Sequence, residues 1–166
     1  MPFTIEEFKA NFIGGARANK YEVQVPYLPD KMNKYLIRAT SIPSTEISPI
    51  NLKYMGANVS LAGERPAPAT WNVTILLDED YAGMNELEQW QEMIRAVNSG
   101  IGAGNHTAYK KEAFVTHLGQ DGSVIAEYKL EGLWPTSIGE VSLSPDEDGV
   151  ATVQVGFQFD VRRKLS

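Results

Sequence analysis

Cysteine is absent from the 166 residues, which removes disulfides, thiolate nucleophiles and cysteine-based zinc sites together. Whatever holds this chain folded is non-covalent. Histidine is nearly absent: His106 and His117 stand alone, neither with a second histidine at ligand spacing, so a metal site would need several carboxylates brought together by folding. Cations are the minority, with 15 Lys plus Arg against 21 Asp plus Glu and a net charge of -6. That balance argues against a protein that grips nucleic acid by its phosphates, though not against one past which nucleic acid slides. No apolar run approaches the ~20 residues of a membrane span, and Met1-Pro2-Phe3-Thr4-Ile5-Glu6-Glu7 lacks the basic and apolar regions of a secretory leader. The expectation is a soluble chain without membrane insertion, unprocessed by that route.

With 43% hydrophobic residues the chain can bury one sizeable core, and one domain over 1–166 is expected. Its organising stretch runs from Trp71 to Val97. In Trp71-Asn72-Val73-Thr74-Ile75-Leu76-Leu77 the apolar residues Trp71, Val73, Ile75 and Leu77 share one face, the period-two pattern of a half-buried strand. After the acidic corner Asp78-Glu79-Asp80, the residues Met84, Leu87, Trp90, Ile94 and Val97 recur at spacings of three and four, which predicts a helix over about 83–99 covering that face. The acidic start suits the positive end of the helix dipole, and Ser99-Gly100 reads as the stop. Everything else reads as β.

Strands are expected at Tyr21–Val25 and Tyr35–Ala39, joined through Pro29-Asp30-Lys31-Met32-Asn33. Between Glu46 and Ala69 two short runs, Asn51–Met55 and Asn58–Leu61, flank Gly56-Ala57 as a hairpin that projects from the core. Gly100, Gly102 and Gly104 mark a mobile loop that includes His106. Lys111–Leu118 and Ser123–Glu131 pair across Gly119-Gln120-Asp121-Gly122, Leu133–Leu143 forms a further strand bent at Pro135, and Asp146–Gly149 is an exposed turn. The cleanest alternation is the last, Val150 to Arg162, which would span ~43 Å at 3.3 Å per residue and so bends around a barrel or continues into a shared sheet. An N-terminal arm, residues 1–19, carries Ile5, Phe8, Phe12 and Ile13 before a Gly14-Gly15 elbow. It is too short to fold alone and lies across the body or a neighbouring copy.

Catalytic chemistry finds little footing. Gly14-Gly15 lacks the Gly-Lys-Ser/Thr and following helix of a phosphate loop. Asp78-Glu79-Asp80 lacks the rest of a calcium loop and is better explained as charges at a helix start. No serine sits in Gly-x-Ser-x-Gly. Trp71 and Trp90 fit the apolar faces above, so core packing explains them better than a stacking platform. No catalytic residue, cofactor site or metal site is expected.

Asn11–Asn19 followed by Tyr21-Glu22-Val23, then Arg38–Pro43, Ala62-Gly63-Glu64-Arg65, Trp71–Ile75, Asp78–Tyr81, the helix with Trp90, Gly132-Leu133-Trp134-Pro135 and Phe157-Gln158-Phe159-Asp160 closely resemble, in this order, the tail tube proteins of contractile-tailed bacteriophages. The proline-rich link Pro66-Ala67-Pro68-Ala69 departs from the family's usual one. The resemblance implies an antiparallel β-barrel or tight sandwich with one flanking helix, six copies per ring, and rings stacked into a hollow tube of the virion. Its partners would be copies of itself, a tail sheath protein, baseplate and tail terminator proteins, and genomic DNA passing through the lumen. Candidates for the contact between rings are the arm and the projection, through Phe8, Phe12, Ile47, Ile50, Leu52, Tyr54, Met55 and Arg65. Six chains at -6 would give -36 per ring, so an acidic lumen that repels phosphates is expected. Two other readings stay open: the tube of a bacterial contractile injection device (tailocin or type VI secretion), and a monomeric β-barrel binding a small apolar ligand. An enzyme is the weakest.

Overall fold

The computed structural model describes residues 4–12, 14–30, 33, 36–95, 102, 104–146 and 148–166. Expectations placed on Ile13, Lys31, Met32, Tyr35, Val97, Ser99, Gly100, Ile101, Ala103 and Glu147 lie outside the described residues. Nine strands carry the fold: β1 (Tyr21–Gln24), β2 (Ile37–Ala39), β3 (Pro49–Tyr54), β4 (Ala57–Ala62), β5 (Trp71–Leu76), β6 (Lys111–Leu118), β7 (Val124–Ile138), β8 (Thr152–Gln158) and β9 (Val161–Lys164). Among the described residues they are accompanied by the helices α1 (Ile5–Asn11), α2 (Ala82–Ile94) and α3 (His106–Tyr109).

The sheet runs β1-β6-β7-β8-β5-β2, with β9 also on β7, and its pairings are antiparallel. It is a nearly closed barrel. The two ends of the order come together where the Tyr21 hydroxyl donates to the Arg38 carbonyl. Inside lie Val23, Val115, Leu130, Leu133, Val153, Val155 and Phe157, together with Trp71, Val73 and Ile75 of β5. The alternation read in β5 is therefore the alternation of the structure: Trp71, Val73 and Ile75 are buried and Asn72 is exposed.

Helix α2 closes the barrel as expected, with Leu87 and Trp90 fully buried. The Trp90 ring lies 6.1 Å from Phe157 and 4.7 Å from Tyr27, and its indole N–H donates to the Tyr109 carbonyl at 2.7 Å. The helix is shorter than the 83–99 predicted. It ends at Ile94, and Arg95 turns extended to bridge Gly102. A side chain at Gly102 would press on the Ile94 carbonyl at 2.7 Å, so this return of the chain against the last turn needs glycine there. The acidic corner precedes the first turn rather than occupying it. Asp80 accepts from the Ala82 N–H at 3.3 Å, and Tyr81 adopts a left-handed conformation.

Other expectations are corrected. Beyond α2, the chain has two short helices where only β and loops were read: α1, closed by a reciprocal Thr4–Glu7 capping box, and α3, which His106 opens with Asn105 as cap. The strands expected at Ser123–Glu131 and Leu133–Leu143 are one strand, β7, whose edge passes from β9 to β8 along its length. The last strand is broken into β8 and β9 at Asp160, whose N–H donates to the Glu131 carbonyl and whose carboxylate binds Lys110 at 2.7 Å. Val161, expected on the buried face, is exposed beyond this bend.

Among the described residues, the polar side chain of Asn33 is buried with the core. Asn33 accepts from the Val25 N–H at 3.0 Å and donates to the carbonyls of Val25 and Leu28 at 3.0 and 3.3 Å. It pairs the Val25 N–H and the Leu28 carbonyl and adds a second donor to the Val25 carbonyl, which already accepts from the Leu28 N–H at 2.9 Å.

Candidate functional site

The chemistry-bearing residues do not converge. His106 is exposed at the start of α3, while the His117 ring on β6 meets the Arg17 carbonyl at 2.9 Å through Nε2 and so ties the N-terminal arm to the barrel. Among the described residues no group of three or more His, Asp or Glu is placed to hold a metal ion. Asp78 and Asp80 are occupied with backbone amides at the corner before α2. Trp71 donates its indole N–H to the Ser41 carbonyl at 2.8 Å, a structural bond between β5 and the segment after β2.

The unusual surface is apolar. Strands β3 and β4 form a separate two-stranded sheet, every residue of it exposed. Its turn is the pair Met55-Gly56, both at positive φ (49° and 79°), the backbone of a tight two-residue hairpin. The cross-strand pairs Ile50↔Leu61, Leu52↔Val59 and Tyr54↔Ala57 put six apolar residues on one side, while Asn51, Lys53, Asn58 and Ser60 take the other. At its base Ser48, Gly63 and Glu64 continue the ladder, and a cleft of about 460 Å³ opens between Glu46, Arg65–Ala69 and Phe159–Arg162. Arg162 holds this base by donating to the Pro43 carbonyl.

The arm presents a second apolar face. No residue of α1 is buried; Ile5 and Phe8 share a side, and the Phe8 ring stacks on Phe12 at 5.1 Å. Of the residues expected to make contacts between copies, Ile50, Leu52 and Tyr54 are brought together on the hairpin, with Met55 at its tip 90% exposed. Phe8 and Phe12 are paired on the arm, while Ile47 and Arg65 stand apart at the hairpin base. Val59 and Leu61 complete the hairpin face and were missed. Their alternation with Asn58 and Ser60 was the signal, because register across a tight turn assigns them to the side of Leu52 and Ile50.

Charge is unevenly placed over the barrel. On the sheet of β6, β7 and β9, Lys129 lies 3.0 Å from Glu112 and 3.6 Å from Glu131, which also meets Arg163 at 3.2 Å. The Glu112 carboxylate, by its hydrogen bond, pushes the Lys129 ammonium above its ordinary pKa. The outward residues of β5 and β8 are neutral: Asn72, Thr74, Thr152, Gln154 and Gln158.

Comparison with known proteins places this arrangement. The model of a phage tail tube protein family matches residues 7–162. The tail tube protein gp19 of Enterobacteria phage T4 is 29% identical over 147 residues, covering 87% of this chain and 89% of that protein, and its counterpart in phage T6 matches to the same extent. Among solved structures, the fold is similar to a chain of the sheath–tube complex of an extracellular contractile injection system (TM-score 0.64, 15% identity, 99% of each chain). It is also similar to a chain of the tube-terminating cap of the anti-feeding prophage (TM-score 0.66, 17% identity, 92% of each chain).

Proposed function

The chain belongs to the phage tail tube protein family, and from that membership we propose that its copies close into six-membered rings that stack into the inner tube of a contractile tail. The observation that carries this reading is the uncovered apolar face of the β3–β4 hairpin. A barrel already filled by Trp71, Trp90 and Phe157 has no use for it, whereas a subunit that meets copies of itself does. A contact between two different patches, repeated head to tail, closes into a ring or runs on as a filament. The hairpin and the arm serve the contact between rings, through Phe8, Phe12, Ile50, Leu52, Tyr54 and Met55, with Ile47 and Arg65 at the hairpin base.

A sheath around the tube, and baseplate and terminator proteins at its ends, are the partners of this reading. The fold shared with chains solved in a sheath–tube complex and in a terminating cap supports them. Genomic DNA passes through without sequence-specific contact, and the net charge of -6 per chain supports a lumen that repels phosphates. The role is structural rather than catalytic. The tube of a bacterial injection device shares the fold, but the sequence relatives above are phage proteins. A monomeric ligand-binding barrel leaves both the hairpin and the arm without a purpose.

The test is negative-stain electron microscopy of the purified chain beside size-exclusion chromatography at rising concentration. Hollow rings or tubes are expected. A chain that stays monomeric, and does not grow on a baseplate or preformed tube end, would overturn the proposal.

A further inference from the structure

The hairpin and the arm carry two apolar faces that the single chain does not join. Among the described residues, α1 makes no substantial contact with another element, and β3 and β4 contact chiefly each other. On the hairpin, Ile50, Leu52, Tyr54, Val59 and Leu61 are between 46% and 70% exposed; on the arm, Ile5, Phe8 and Phe12 are between 53% and 74% exposed. A two-stranded sheet with one apolar side is marginal until that side is covered. A helix of two turns is marginal for the same reason. Each is the layer the other lacks, since a helix laid over one face of a sheet is among the basic ways such faces are buried.

We propose that α1 of one copy lies across the apolar face of the β3–β4 hairpin of a second copy, and that this pairing is the contact between stacked rings. It rests on the tube reading above and names the partner surface that reading left open. The area agrees with a contact that is weak alone and firm in number. Half-exposed side chains give the hairpin face roughly 500 Å², the upper range for a patch left bare on a monomer. The arm adds roughly 400 Å², so one pairing covers about 900 Å² in all, just under the ~1,000 Å² that an isolated specific interface needs. Two copies in solution therefore part easily. Between two rings the same pairing is made by every subunit at once, and each contact raises the effective concentration of the next. Because the two surfaces differ, a subunit engaged by its arm still offers its hairpin, so stacking propagates in one direction without closing.

The lack of cysteine in the chain makes the pairing directly testable. A double variant F8C/L52C, both positions exposed and outside the core, is assembled, treated with a short bismaleimide and examined by denaturing electrophoresis and electron microscopy. Tubes that give a ladder of covalent multimers are expected, with the F8C and L52C single variants giving no ladder and an equal mixture of the two giving dimers alone. Tubes whose chains stay unlinked, or are linked within one chain, would overturn the pairing while leaving the tube reading in place. Absence of rings and tubes in the double variant and in the unaltered chain alike, with no growth on a baseplate or preformed tube end, would overturn both.

Discussion

The Tyr21 hydroxyl on β1 donates to the Arg38 carbonyl on β2, so the first and last strands of the sheet order meet through a side chain instead of a ladder. A barrel closed in this way has a seam. Strand β2 is three residues long, and its register on β5 slips between Ile37 and Ala39, which leaves the seam as the weakest part of the wall. Replacing Tyr21 with Phe removes the bond and little else. The expected cost is about 1 kcal/mol of stability, and amide exchange should accelerate in β2 ahead of β6 and β7. Uniform acceleration across the barrel would show that the seam carries no separate weakness.

Gly132 sits in β7 at φ 72°, where the edge of the strand passes from β9 to β8. A Cβ there would collide with the Asp160 carboxylate, which is engaged with Lys110 at 2.7 Å. Gly132→Ala combines left-handed strain with displacement of that ion pair, and about 2–4 kcal/mol of destabilisation is expected. The midpoint of urea unfolding reports it. Lys110→Met, which removes the partially exposed ion pair and keeps the glycine, should cost under about 1 kcal/mol.

These two positions also explain where the chain was hard to read. The alternation in β5 and the three-and-four spacing from Met84 to Ile94 record the packing of each residue's own element, so the strand, the covering helix and their shared core were legible locally. The break at Asp160 was not, because its causes, Lys110 and Glu131, are distant in sequence. The gap at Gly132 looked like the end of one strand and the start of another bent at Pro135, yet Gly132 lies inside a single strand that serves both halves of the barrel. Helix α1 was legible and passed over: Thr4 and Glu7 stand at capping-box spacing. For the candidate contact surface, the hairpin was visible as a projection. Its six-residue apolar face required register, which follows from the two-residue turn at Met55-Gly56.

Acid should loosen the β6–β7 turn before the barrel. The Ser123 hydroxyl and N–H both donate to Asp121, at 2.6 and 3.1 Å, and hold its carboxyl below the ordinary aspartate value. A carboxyl whose folded pKa is lowered adds stability that is present above the unfolded value and is lost as pH falls through the folded one. Amides of the turn should therefore exchange faster, relative to the barrel, only below about pH 4. Ser123→Ala removes the hydroxyl and keeps the backbone N–H, so it should move the Asp121 titration, followed by NMR, toward the ordinary value and narrow that difference.

Leu52 lies at the centre of the hairpin's apolar face and is half exposed. Leu52→Asp should leave thermal stability within about 0.5 kcal/mol of the original, since the side chain takes no part in the core. A buried, unpaired charge at an interface is costly, so the same change should stop assembly at concentrations where the unaltered chain forms tubes. Lys53→Asp, on the opposite face, is the control and should assemble far better. Equal assembly by both variants would show that this face is not covered in the tube.

Met55 occupies a left-handed position, φ 49°, at the hairpin tip, and is 90% exposed. Asn adopts this conformation with less strain, and an Asn-Gly pair is the favoured filling of such a turn. Within the monomer, then, methionine is a poor choice with no visible compensation, and a local rule broken without gain points to a gain elsewhere. Met55→Asn should stabilise the hairpin by about 1 kcal/mol, slowing amide exchange in β3 and β4 roughly fivefold. If the thioether is held by a neighbouring copy, the same substitution should raise the concentration needed for tube growth, by about tenfold for each 1.4 kcal/mol of binding free energy that the methionine supplied. The two effects have opposite signs and separate readouts. A stiffer hairpin that assembles at an unchanged or lower concentration would place the tip outside the interface and leave the face through Leu52 to carry it.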